Sequence, residues 1–249
     1  MASIRGRKRS GAEAHRAQPR RTDSARVQPR LSARRKARFH SALLDWFCVH
    51  GRRYPWRTRP TPYGVFISEF MLQRTGASQV VPVYRAFLRT FPTLKKAANA
   101  SVGQLRRILQ PLGRVERAPV LKRALDRFGT DFHSRIPRGI ADLRKVPGIG
   151  EYTARAIACF GYGQQLALLD PNIYRLLSRA LGLASDRERI HTDPGLWRFM
   201  DGILPASNSR EFNLAMLDLG ATICRSRAPR CFECPLSRWC AFRNAGAKR

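Results

Sequence analysis

Four cysteines lie close together near the C-terminal end of the chain: Cys224, Cys231, Cys234 and Cys240, in the spacing C-x6-C-x2-C-x5-C. The chain carries no secretory apolar segment, so we expect a reducing compartment, where such a set indicates a metal centre rather than disulfides. Cys231 and Cys234 can chelate from one turn, and the six-residue arm from Cys224 can wrap around a bulky centre. Thiolates suit both zinc and iron–sulfur clusters, so the spacing alone leaves both open.

A second group of residues combines a glycine corner with an isolated carboxylate. The stretch "VPGIG" places Gly148 and Gly150 at a tight turn, and Asp170 follows an apolar run in "LLDPN". The glycines are compatible with a plain turn between packed helices or with a close backbone approach to a phosphate. The order Asp170-Pro171 is typical of a helix start, with the aspartate as N-cap and proline in the first helical position.

The charge of the chain favours a polyanionic partner. Lys and Arg number 47 against 17 Asp and Glu, a formal net charge of +30. A field of this size concentrates nucleic acid, whereas no long apolar segment or basic amphipathic helix indicates a membrane. Residues 1–38 are rich in arginine and poor in large apolar residues, and they are predicted to form a disordered basic tail. A mitochondrial transit peptide has a similar composition.

The elements that must position these residues are helices. From Phe39 onward, short segments with apolar residues at helical spacing alternate with Gly, Pro or Asn breaks, and no segment alternates like a strand. The pattern predicts an all-α fold of roughly ten helices. Cys48 and Cys159 lie on apolar helix faces and are predicted to be small core residues.

The chain contains, in this order, the motifs "YPWR", "PYGVFISEFMLQRT", "VPGIGEYTA", "LLDPNIYRLLSR", "FNLAMLDLGATIC" and the cysteine spacing. This series resembles the helix–hairpin–helix (HhH-GPD) DNA glycosylases with an iron–sulfur cluster, the endonuclease III and MutY group. The resemblance implies a [4Fe–4S] cluster on the four cysteines and double-stranded DNA with a mismatched or damaged base as partner. It also implies two helical lobes within residues 39–249: a barrel lobe over about 62–163, and a second lobe of 39–61 with 164–223 that carries the cluster loop 224–240. We expect a monomer in the cytoplasm of a bacterial or archaeal cell, without membrane association.

The resemblance assigns chemistry to individual residues. Asp170 matches the carboxylate that stabilises the cationic sugar or generates the water nucleophile. Glu69 matches a glutamate that donates a proton to the leaving base. The backbone at Gly148 and Gly150 is expected to hold a DNA phosphate. Tyr152 stands where lyase-active members carry a lysine that attacks the sugar, so we expect a monofunctional N-glycosylase that leaves an abasic site.

The residues that read the base favour one branch of this group. Adenine glycosylases usually read Leu-Gln-Gln-Thr where this chain has Gln73 and Arg74 within "LQRT", and they carry an aromatic wedge where it has Arg114. We also expect their 8-oxoguanine recognition domain to be absent. The mismatch-specific thymine glycosylases of the Mig type look closer, and an arginine suits an orphaned guanine. We therefore expect removal of T or U opposite G; the alternatives are an A/G-specific adenine glycosylase and a non-catalytic Fe–S DNA-binding protein.

Overall fold

The computed structural model describes residues 29–246. In this range it contains α-helices joined by turns and loops and no β-strand, which confirms the all-α prediction. The helices are α1 Ala33–His50, α2 Pro55–Thr58, α3 Pro62–Leu72, α4 Ala77–Thr90, α5 Leu94–Ala98, α6 Val102–Leu109, α7 Ala118–Asp131, α8 Ile140–Leu143, α9 Glu151–Ala156, α10 Pro171–Leu181, α11 Pro194–Ile203, α12 Ser209–Thr222 and α13 Ala241–Gly246. None of these helices is long and apolar enough to cross a membrane.

Helix α3 forms the centre of the first lobe, which comprises α3 to α9. Its segment "GVFISEFM" is buried throughout, because α4 and α9 pack against it together with a π turn, Ile157–Gly161, that continues α9. Thr61 caps α3 by accepting a hydrogen bond from the Gly64 N–H at 3.0 Å. An apolar helix enclosed on all sides must satisfy any charge that it carries, and Glu69 is the charged residue of α3.

Helix α12 holds the second lobe together, because α1 and α10 both pack along it and α13 packs on α10. Phe39 on α1 and Phe212 on α12 are fully buried and meet edge to face, with ring centroids 6.0 Å apart. The chain runs from the first lobe into the second through the loop between the π turn and α10. That loop delivers Asp170, at the start of α10, to the boundary between the lobes.

Helix α1 begins before the predicted end of the basic tail. It starts at Ala33 rather than at Phe39, because the Ser32 side chain accepts a hydrogen bond from the Arg35 N–H and caps the helix. Lys36 Nζ also donates to the Gly202 carbonyl at 2.7 Å, which ties this turn to α11. The predicted tail is therefore wrong for residues 33–38, and its residues 1–28 lie outside the described range.

The two isolated cysteines differ in their surroundings. Cys159 is fully buried, as predicted, with its Sγ 3.6 Å from the Asn213 side-chain nitrogen. Cys48 is exposed, which contradicts the prediction of a core residue. It lies in the last turn of α1, where the neighbouring Val49 and His50 are also exposed because the helix extends past its packed part.

Candidate active site

A cleft with an empty volume of about 1280 Å³, counting its open mouth, brings together residues from both lobes. Three predicted site residues of the first lobe line it: Glu69, Gln73 and Tyr152. Asp170 lines it from the start of α10 in the second lobe. Four side chains that lie between 4 and 101 positions apart in sequence are thus collected around one space.

Asp170 is the N-cap of α10, as its position before Pro171 predicts. Its Oδ1 accepts a hydrogen bond from the Ile173 N–H at 2.7 Å, and its Oδ2 accepts one from the Asn172 side-chain amide at 2.9 Å. Burial raises the pKa of the Asp170 carboxyl, and these hydrogen bonds oppose the rise because they favour the charged form. Capping therefore fixes the carboxylate in place while the carboxylate still lines the cleft.

A chain of hydrogen bonds connects Asp170 to the first cysteine of the C-terminal set. The guanidinium of Arg175 donates to the Asn172 Oδ1 at 2.9 Å and to the Cys224 carbonyl at 2.8 Å. It also donates to the carbonyl of Gly220 at 2.6 Å. A Cβ at Gly220 would lie 3.0 Å from the Asn172 carbonyl oxygen, so glycine allows α12 to approach this closely. The sequence analysis missed Asn172 and Arg175; the only signal was their place within "DPNIYR".

Glu69 is only 8% exposed and faces the same space. Burial raises its pKa to about 7; the charge of Asp170 adds to this rise, while the guanidinium of Arg57 opposes it. A carboxyl group with this pKa holds a proton near neutral pH and can donate it. The buried environment of α3 thus turns an ordinary acidic side chain into a candidate general acid.

Tyr152, on α9, is close enough to both carboxyl groups to feel their charge. Burial raises the pKa of the phenol well above its ordinary value, and Glu69 and Asp170 add to the rise. The hydroxyl therefore remains protonated and can only donate or accept a hydrogen bond. Among the described residues that line the cleft, none is a lysine.

Asp218 anchors two arginines of the cleft wall, and the sequence analysis missed all three residues. Its side chain is completely buried, and its oxygens accept hydrogen bonds from the Arg52 Nε at 2.8 Å and the Arg57 Nη1 at 2.9 Å. The backbone N–H of Arg52 donates to it as well, at 2.8 Å. The sequence offered weak signals only: the basic residues around "YPWR" and an aspartate within the apolar segment of α12.

The predicted glycine hairpin lies outside the cleft, immediately before α9. Gly148 has a φ of +81°, a conformation that would be strained for a residue with a side chain. Both Gly148 and Gly150 are exposed. Ile149 between them is buried and anchors the turn in the core. The hairpin therefore presents bare backbone and the first N–H groups of α9 to the outside, as a phosphate contact requires.

Two exposed loops carry the predicted arginine probes. Arg74 follows α3 with a φ of +61°, an uncommon conformation for a residue with a side chain. Arg114 follows Gly113 in the loop before α7 and pairs with Glu116 at 3.4 Å. The side chain of Arg117 connects the two loops, because it donates to the Gln73 Oε1 and to the Phe70 carbonyl. The Gln73 side chain is thereby oriented through its oxygen.

The four C-terminal cysteines, Cys224, Cys231, Cys234 and Cys240, line one common cavity with mostly apolar neighbours. Within the described part of the chain, no three His, Cys, Asp or Glu side chains converge tightly enough to hold a single metal ion. A zinc ion requires sulfur atoms about 2.3 Å from one centre. Four cysteines around one cavity are a ligand set that a zinc ion or an iron–sulfur cluster can use.

A family model for the helix-hairpin-helix motif matches residues 131–160, the segment that contains the glycine hairpin. Over 206 residues the chain is 37% identical to a thymine-DNA glycosylase of Aeropyrum pernix, covering 81% of this chain and 92% of that protein. It is 34% identical over 204 residues to a thymine/uracil-DNA glycosylase of Pyrobaculum aerophilum, with coverage of 80% and 89%. An adenine DNA glycosylase of Mycobacterium tuberculosis is 37% identical over 211 residues, with coverage of 82% and 67%.

Solved structures show the same fold. A thermostable thymine-DNA glycosylase superposes with a TM-score of 0.79 and 28% identity, covering 84% of this chain and 97% of that one. Endonuclease III in a non-covalent complex with DNA gives a TM-score of 0.73 at 17% identity, with coverage of 88% and 100%. The chain belongs to the helix–hairpin–helix (HhH-GPD) superfamily of DNA glycosylases.

Proposed function

We propose that this protein is a monofunctional DNA glycosylase that removes T or U opposite G from double-stranded DNA and leaves an abasic site. The observation that carries the proposal is the pair of carboxyl groups in one cleft, with the pKa of Glu69 raised to about 7 by burial and Asp170 fixed by its cap. Because their environments differ, Glu69 takes the role of the acid and Asp170 takes the electrostatic role. A protein that only binds DNA has no need for this division.

The reaction follows from these positions. A base swung out of the duplex enters the cleft, and Glu69 donates its proton to a heteroatom of the base as the bond between the base nitrogen and the sugar C1′ breaks. The carboxylate of Asp170 stabilises the positive charge that develops on the sugar. Water then adds to C1′ and gives a proton to Asp170, which balances the proton lost by Glu69. The products are the free base and an abasic sugar.

Tyr152 supports the monofunctional assignment. A lyase step needs a neutral amine that attacks C1′ and forms an imine, and a phenol cannot form one. Tyr152 contributes a protonated hydroxyl next to both carboxyl groups, so its role is to orient the carboxyl groups or the sugar. Borohydride treatment of the protein with its substrate duplex should give no covalent adduct; a strong adduct would require another nucleophile.

The choice of T or U rests on the DNA-facing loops and on the relatives. Arg74 and Arg114 offer guanidinium donors on exposed loops, and a guanine left without its partner presents N7 and O6 acceptors. Two relatives that match most of the chain are named for thymine or for thymine and uracil. Adenine is the second candidate, because a protonated Glu69 also suits a purine N7 and an adenine-specific relative is equally identical.

We propose further that Cys224, Cys231, Cys234 and Cys240 hold a [4Fe–4S] cluster. The common cavity that the four cysteines line and its mostly apolar neighbours support this proposal, and membership of the glycosylase superfamily favours the cluster over zinc. The cluster supplies a rigid cross-link for the loop when bound. Iron and sulfide analysis with visible absorption of anaerobically purified protein tests the assignment, and a colourless zinc protein would contradict it.

A nicking assay tests the function. Duplexes that carry T·G, U·G, A·G or A·8-oxoguanine are incubated with the protein and treated with alkali, which breaks the strand at abasic sites. We expect breaks at T·G and U·G and none with the matched T·A duplex. Breaks only at the adenine pairs would establish the second candidate. No break with any duplex, at concentrations where binding is seen, would indicate a non-catalytic DNA-binding protein.

A further inference from the structure

One buried acidic residue has no part in the reaction above, yet it lies directly behind the cleft wall. The Asp218 carboxylate sits on α12 with no solvent exposure and contacts the guanidinium groups of both Arg52 and Arg57. The two arginines retain only 32% and 14% of their side-chain exposure. A buried carboxylate is tolerated when paired and fully hydrogen-bonded, and Asp218 meets that condition.

Arg57 stands between two carboxyl groups and binds one of them. Its Nη1 lies 3.1 Å and 2.9 Å from the two oxygens of Asp218, and its Nη2 lies 3.1 Å from Oδ1. Its Nη1 also donates to the Arg52 carbonyl at 3.1 Å. In the part of the chain that the structure describes, no hydrogen bond joins Arg57 to Glu69, although its charge reaches that carboxyl. Asp218 and the Arg52 carbonyl thus engage both terminal nitrogens of the Arg57 guanidinium.

We propose that Asp218 is a positioning residue that occupies the guanidinium of Arg57 and so prevents it from forming an ion pair with Glu69. The two carboxyl groups compete for one cation, and Asp218 binds it by both of its oxygens. Glu69 is thereby left as an uncharged acid. This inference rests on the proposed role of Glu69 as proton donor.

The sign of the effect follows from the groups around Glu69. Arg57 on α2, Asp170 before α10 and Tyr152 on α9 face it, and Arg52 and Arg210 line the same cleft. Without the Asp218 charge, the freed Arg57 would pair with Glu69 and lower its pKa. Without Arg57, the opposing cation is gone and the pKa of Glu69 rises. If Asp218 merely supported the fold, its loss would not lower the pKa of Glu69.

The test is a carboxyl titration of the DNA-free protein. The side-chain ¹³C resonance of Glu69 is assigned by its loss in Glu69→Gln. Its chemical shift is then followed with pH, and the midpoint of that titration is measured. We expect Asp218→Asn to lower the midpoint by about one pH unit and Arg57→Gln to raise it. The surface change Asp142→Asn, which also exchanges a paired carboxylate for an amide, should leave the midpoint unchanged.

Each result bears on the proposal. An unchanged or raised midpoint in folded Asp218→Asn would overturn it. If this variant does not fold, Arg57→Gln decides alone, and an unchanged or lowered midpoint there would overturn the competition between the two carboxyl groups. Asp218→Glu, which keeps the charge, should stay near the wild-type midpoint. Failure of the proposed function is seen separately, because excision would then be absent while the midpoints still shift as expected.

Discussion

Asp170 performs two tasks that two substitutions can separate. As N-cap it satisfies the Ile173 N–H, and as a charged group it faces the cleft. Asp170→Asn retains a side-chain oxygen that caps as well as aspartate does, but it removes the charge. Asp170→Ala removes both. The two variants should therefore have the same catalytic defect and different stabilities.

The magnitudes can be worked from the contacts. The Asn variant loses the hydrogen bond that the Asn172 amide donates to Oδ2, a cost of about 1 kcal/mol, and relief of the buried charge offsets part of it. The Ala variant also loses the cap, a further cost of about 1 kcal/mol, or about 2–4 °C in Tm for a chain of this length. Loss of an electrostatic contact to the transition state lowers the excision rate by at least about 100-fold in both.

Single-turnover excision on the preferred duplex, followed by alkali cleavage, measures the rate, and thermal unfolding measures the stability. Binding of the duplex should persist in both variants, because phosphate contacts dominate affinity. If Asp170→Asn excises the base within tenfold of the wild-type rate, the carboxylate is only a helix cap. The electrostatic role assigned to it would then be wrong.

Two further predictions concern the acid and the hairpin. The excision rate should decline as the pH rises through about 7, because Glu69 loses its proton there. The rate should also decline as the pH falls through the raised pKa of Asp170, because that carboxylate then gains a proton. Single-turnover rates measured across the pH range check this, and a flat profile would contradict it. Gly148→Ala should destabilise the protein by about 1 kcal/mol and weaken duplex binding, because the φ of +81° is strained for alanine and its Cβ would meet Val120 at 3.0 Å. Gly150→Ala, whose Cβ would have no atom nearby, should keep the stability of the protein and weaken only its binding to the duplex. Thermal unfolding and fluorescence anisotropy with duplex DNA distinguish the two glycine variants. Equal losses of stability would refute the reasoning.

Local sequence signals predicted the helices and several site positions. The helical spacing of apolar residues and the Gly, Pro and Asn breaks predicted the all-α class, and the Asp-Pro pair predicted the helix cap at Asp170. Both predictions succeeded because each depends on residues that are only a few positions apart. The early start of α1 was missed because Ser32 is a single cap within an arginine-rich segment. Cys48 was misassigned because helical spacing continues into the last turn of α1, where residues 48–50 are exposed.

Long-range partners could not be predicted in the same way. The contacts of Asp218 cross 161 and 166 positions, and nothing in the local pattern distinguishes it from an exposed helix residue. The link between Gln73 and Arg117 crosses 44 positions and depends on how two loops meet. Such pairs are fixed by the packing of helices and loops that are distant in sequence, which only the whole fold determines.

The series of hydrogen bonds from Cys224 to Asp170 connects the cysteine loop to the active site, although the loop itself takes no part in the reaction. Arg175 binds the Cys224 carbonyl, the carbonyl of Gly220 and the Asn172 Oδ1, so its guanidinium has one arrangement that satisfies all three. Asn172 must then direct its amide at Asp170, because its oxygen is already taken. Displacement of the loop would remove the Cys224 carbonyl from the three acceptors of Arg175. The Asn172 side chain, whose amide donates a hydrogen bond to Asp170, would then be held less firmly. An intact cysteine loop therefore contributes to the placement of the Asp170 carboxylate, which lies at the other end of this series of hydrogen bonds.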